Sequence, residues 1–107
     1  VSPAIERKMG VSAMSQIAID ANTFYEAEWA RSKGLFASVY ESIEAMDAAV
    51  EAFAKHLCTY NPEAMLEMKK IFWRGTDDWD NLLAERAAIS GRLVLSDFTK
   101  KTLEKFK

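Results

Sequence analysis

Apolar residues recur at helical spacing along most of the chain. The clearest run covers residues 42–60, where Ile43, Met46, Val50, Phe53, Ala54 and Leu57 form one continuous stripe. Start and stop signals divide the rest. Ser2 and Pro3 open a first helix that Gly10 ends, because proline loses little in a first turn and glycine accepts the terminating conformation. Ser12 is placed to cap a second helix carrying Ala13, Ile17 and Ala21 on one face. Thr23 and Glu26 have capping-box spacing ahead of another, which Gly34 stops. Asn61 and Pro62 start a helix that runs to Gly75. From Thr76 a further helix is predicted, with Asp77, Asp78 and Asp80 in its first turn and Gly91 interrupting it. Ser96 caps the last, with Phe98, Leu103 and Phe106 on or near one side. About six helices are expected, and the fold class is all-α.

One stretch breaks the pattern. Leu35, Phe36, Ala37, Ser38 and Val39 alternate as a strand does, so a short β segment near 35–39 is predicted. It is an orphan, since no second strand exists in the sequence to pair with it.

Half of the 107 residues are apolar and 28% are charged, the balance of a globular chain rather than a disordered one. A net charge of −2 gives no global footprint for nucleic acid or an anionic membrane. Cys58 is the single cysteine; it forms no internal disulfide and fits a reducing, cytoplasmic setting. No apolar run reaches transmembrane length. The start at Val1 without Met, leading directly into helical periodicity, reads as a fragment or processed product. Three Trp, six Phe and five Met are more sticky surface than a small monomer needs, so part of it is expected to meet another chain or the missing remainder of the protein.

Few residues carry chemistry. His56 and Cys58 fall on different helix faces, and no other His or Cys joins them as a metal set. Asp77, Asp78 and Asp80 have a sufficient reason to sit at a helix start in the dipole they face there. Glu26 with Glu28, and Glu63 with Glu67, read as helical surface charge. No nucleophile motif accompanies the lone His. The candidate for ligand contact is the last helix, where Lys100, Lys101, Lys105 and Lys107 crowd around Phe98 and Phe106. A lysine beside an exposed ring can hold a phosphate while the ring stacks on a base. Cations near a helix end also complement the dipole and keep a surface soluble, which is the plainer account.

The order of segments resembles the C-terminal part of the crotonase (enoyl-CoA hydratase/isomerase) superfamily. "IERKMG", "EAEWARSKGLFASVY", a long helix, "NPEAMLEMKK" and "SDFTKKTLEKF" follow one another as in that family, over essentially all of the chain. The A-x-x-A-x-x-x-G-L-V signature appears as Ala27, Ala30, Gly34 and Leu35, with Phe36 where Val is usual. The resemblance implies a single helical domain over 1–107 that lacks the family's N-terminal ββα spiral core. Residues 1–40 would be core-proximal helices and strand, and 41–107 the trimerisation part. The whole protein would then be an enoyl-CoA hydratase or isomerase of fatty acid metabolism, and this chain alone inactive, because no residue matches a catalytic glutamate. No cofactor is implied, acyl-CoA being the substrate. Phe98 and Lys101 occupy the positions that approach the adenine and 3′-phosphate of CoA. A homo-oligomer, trimer or dimer of trimers, is expected, with neither nucleic acid nor membrane as partner. "RLVLSDF" departs from the family's acidic-Gly pair before that Phe and points to a branch acting on branched or acidic enoyl-CoAs, such as methylglutaconyl-CoA hydratases. The other reading of the sequence is a self-sufficient helical interaction module with no role in CoA binding.

Overall fold

Six helices in chain order make up the computed structural model, which describes residues 1–107: α1 (Ser2–Ile19), α2 (Ala27–Ser32), α3 (Ile43–Leu57), α4 (Pro62–Phe72), α5 (Trp79–Val94) and α6 (Asp97–Glu104). No helix is long and apolar enough to cross a membrane. The chain divides into two compact units, Ala4–Arg74 and Val1–Pro3 with Gly75–Lys107.

Several helix ends follow the local chemistry. The Ser42 side chain accepts from the Ala45 N–H at 3.1 Å, and the Asn61 carbonyl oxygen from Glu63 and Ala64 at 2.9 and 3.3 Å, with Pro62 opening α4. Each satisfies donors that have no partner inside the helix. Gly34 and Gly75 follow α2 and α4 with φ of 85° and 82°, the left-handed conformation that closes a helix.

The predicted strand near 35–39 is absent, and this corrects the sequence reading: residues 35–39 are irregular, with no strand assigned. Alternation specifies which face a side chain takes, but a strand exists only where a second backbone supplies its hydrogen bonds. Leu35 donates instead to the Ala30 carbonyl, closing the end of α2, and no backbone hydrogen bond follows for residues 36–39.

Gly10 (φ 79°, ψ 165°) leaves the helical conformation and divides α1 into two helical segments that meet at a kink, the stop that its position in the sequence predicts. Other boundaries shift. The Thr23 capping box does not form. Thr23 donates its N–H to the Asp20 carbonyl in a turn, and α2 starts only at Ala27. Asp77 and Asp78 precede α5, leaving Asp80 in its first turn, and Gly91 is carried through as ordinary helix.

In the unit Ala4–Arg74 the buried apolar residues are Met9 and Ala13 on α1 and Ala30 on α2. Gly34 comes so close to α1 that a Cβ there would sit 3.0 Å from the Lys8 carbonyl oxygen. Arg7 extends from α1 to the far end of α4, donating to the carbonyls of Phe72 and, at 3.0 Å, of Arg74. These are carbonyls that the last helical turn cannot satisfy for itself. Replacing Arg7 by methionine keeps the aliphatic stem and removes both donors. Faster amide exchange at the end of α4 is expected, with a loss of about 1 kcal/mol at this exposed site. Unchanged exchange there would show that the guanidinium fastens nothing.

In the other unit, α5 and α6 pack on each other. Arg86 on α5 donates to the Ser2 hydroxyl at 2.6 Å, tying α5 to the start of the chain.

Little of the apolar surface is covered. The chain exposes 9274 Å². No residue of α3, α4, α5 or α6 is fully buried. The α3 stripe, the strongest periodic signal in the sequence, faces outward: Ile43, Val50 and Phe53 are each at least 60% exposed.

Candidate functional site

The position of α6 is fixed by three local bonds. Ser96 Oγ accepts from the Thr99 N–H at 3.3 Å and caps the helix. Thr99 Oγ1 donates to the Leu93 carbonyl at 3.0 Å, linking the first turn of α6 to the last turn of α5. Thr102 Oγ1 donates back to the Phe98 carbonyl at 2.9 Å. The Phe98 ring is 80% exposed.

Phe98 and Lys101 stand three residues apart on this helix, so their side chains are neighbours. Lys101 is exposed and makes no ion pair, whereas Lys100 lies 3.8 Å from Asp97. An exposed ring beside an unpaired ammonium can take an aromatic base and a phosphate together. Lys101 also belongs to the last turn of α6, where its charge complements the helix dipole.

The remaining sequence candidates are not brought together. His56 meets Tyr60 edge-on with ring centroids 5.1 Å apart. Cys58 is free and exposed. No group of three or more His, Cys, Asp or Glu side chains gathers around a point that could hold a metal ion. Two of the four glutamates are engaged in surface pairs along their helices. Glu67 pairs with Lys70 at 2.8 Å, and Glu28 accepts from Arg31 at 2.9 Å. The Arg31 hydrogen bond holds the Glu28 carboxyl below its ordinary pKa.

One feature was invisible in the linear sequence. Phe36, Val39, Tyr40, Ile43 and Met46 line a cavity of about 460 Å³, and a second of about 470 Å³ continues along α3 past Val50 and Phe53. Ser38, Tyr40 and Met46 belong to both, so the two form one apolar groove between the irregular segment and the α3 stripe. Only the stripe could be anticipated, since the other wall is set by how residues 36–42 turn back.

Comparison of the chain with protein-family models, curated proteins and solved structures finds no match.

Proposed function

We propose that this chain is the C-terminal helical domain of an enoyl-CoA hydratase/isomerase family protein, where it covers the acyl-CoA site, helps to hold CoA and takes part in oligomerisation. The observation that carries the reading is the local geometry of the signature residues. Ala30 is buried, and Gly34 has positive φ with its α-carbon against the α1 backbone. Small residues therefore fit at two of the pattern's positions, Ala30 and Gly34, whereas Ala27 is exposed, and Leu35 closes the turn on the Ala30 carbonyl.

The chemistry proposed for the whole protein is hydration or isomerisation of an enoyl thioester. Two N–H donors would stabilise the thioester oxygen as an enolate develops, and glutamates would move the protons. Neither group is assigned to this chain. Its own contribution is the nucleotide end of the substrate, with Phe98 against the adenine and Lys101 on the 3′-phosphate.

Steady-state kinetics of the complete enzyme test this. A charge-assisted contact to phosphate is worth about 1.5–3 kcal/mol. Lys101→Ala is therefore expected to raise KM for CoA thioesters about ten-fold or more. kcat should barely change, because a group remote from the reacting carbon binds ground and transition states alike. An N-acylcysteamine thioester, which lacks the nucleotide, should not register the substitution. Equal weakening of both substrates would sink the CoA role and leave Lys101 as a solvated helix end.

A further inference from the structure

We infer that the C-terminal tip of α4, where Phe72 and Trp73 stand among Arg7, Lys69 and Arg74, is a contact surface for an anionic lipid bilayer. The inference is independent of CoA binding. It concerns the unit Ala4–Arg74 alone, which contains neither Phe98 nor Lys101.

The overall charge conceals a local excess. The chain carries −2, yet residues 68–74 hold three cations and no acid. Lys70 is partnered by Glu67 at 2.8 Å. Lys69 and Arg74 are exposed, and neither makes an ion pair. The helix dipole ordinarily accounts for cations in a last turn. Here Arg7 already meets that end directly, by donating to the carbonyls of Phe72 and Arg74. It also brings a further positive charge from α1 to the same place. The tip is therefore more positive than its own dipole requires. The next acids along the chain, Asp77 and Asp78, belong to the other unit.

Apolar side chains are exposed among these charges. Met68, Ile71 and Phe72 share one face at i, i+3 and i+4, and Trp73 ends the helix. Ile71 and Phe72 are each 65% exposed, and Trp73 is 47% exposed. Lys69 stands three residues before Phe72 and four before Trp73, so its stem runs beside both rings. Such a tip matches a bilayer interface in both of its layers. Rings and aliphatic groups enter at headgroup depth, while lysine and arginine lay their stems on apolar surface and carry their charges to the phosphates. Ile71 and Met68 separate this surface from a nucleic-acid platform, where bases stack on rings and gain little from an aliphatic face.

Flotation of the full chain with vesicles tests the inference. Binding is expected to phosphatidylcholine vesicles containing about a quarter phosphatidylserine, and not to phosphatidylcholine alone. Lys69→Gln with Arg74→Gln should weaken it about thirty-fold, the effect of two cations near an anionic surface. Ile71→Ser with Phe72→Ser should weaken it about ten-fold or more while keeping every charge. Circular dichroism matching the wild type separates lost binding from lost folding. Brominated acyl chains should quench the tryptophan fluorescence of the wild-type chain and far less that of Trp73→Phe, although this variant still floats. A wild-type chain that fails to float overturns the inference. So does quenching that Trp73→Phe leaves unchanged, since another tryptophan would then be the one in the bilayer. Binding to a single-stranded oligonucleotide without flotation overturns it in favour of nucleic acid. Substitutions that alter only the sedimentation of the lipid-free chain overturn it in favour of a second copy.

Discussion

Gly34→Val is expected to unfold much of the unit Ala4–Arg74, with a loss of about 3 kcal/mol or more. Two costs add. The backbone at residue 34 has φ of 85°, which an L side chain adopts at a cost of about 1–2 kcal/mol, more for a β-branched one. Its Cβ would also lie 3.0 Å from the Lys8 carbonyl oxygen, a backbone atom that moves only if α1 moves. At about 4–8 °C per kcal/mol, the melting midpoint should fall by more than 10 °C. Gly75 provides the control, with φ of 82° and nothing within 4 Å of its added Cβ. Gly75→Ala therefore bears only the conformational cost, and Gly34→Ala should be the more destabilising of the two in urea melts. Equal midpoints for the two alanine variants would mean that the approach to Lys8 has no energetic consequence.

Met9→Ala should produce the second large loss, about 2–3 kcal/mol. Met9 is the largest of the buried apolar residues in its unit, 9% exposed; the others are the alanines Ala13 and Ala30. Truncation of a buried methionine removes transfer energy and leaves a cavity that the surroundings refill only in part. A methionine on α4, Met68, is 45% exposed and loses far less on truncation. The comparison is made by thermal and urea unfolding followed through helix content. If Met9→Ala and Met68→Ala melt together, the burial of Met9 carries no stability of its own.

Residue 28 reports on pH in the same unit. The Arg31 hydrogen bond lowers the Glu28 pKa, so its contribution is present above the unfolded-state value and disappears as pH falls through the lower folded value. Because the pair is exposed, it tunes the α2 surface and does not decide whether the fold forms.

Most of the helical architecture was legible because helices are specified over three or four residues. The α3 stripe, the Asn61–Pro62 start and the Ser96 cap each depend on neighbours a turn away, and all appear in the structure. The same locality explains the misjudged boundaries. Thr23 and Glu26 have capping spacing, yet Thr23 is taken by a turn closing on Asp20.

What lay outside the sequence pattern depends on residues far apart along the chain. Alternation at residues 35–39 marked an unusual segment but did not supply the partner backbone a strand requires, and the structure leaves the segment irregular. Periodicity identified the apolar face of α3 without saying whether anything covers it; only tertiary structure left it exposed and joined it to Tyr40 and Phe36 as a groove. Arg7 on the α4 carbonyls and Gly34 against Lys8 are likewise contacts between distant positions, with no local signature to announce them. For the candidate site, the sequence by itself determined that Phe98 and Lys101 share a helix face, since the spacing of three fixes it. Tertiary structure decided that both are exposed, through the threonine and serine bonds that set α6 on the end of α5.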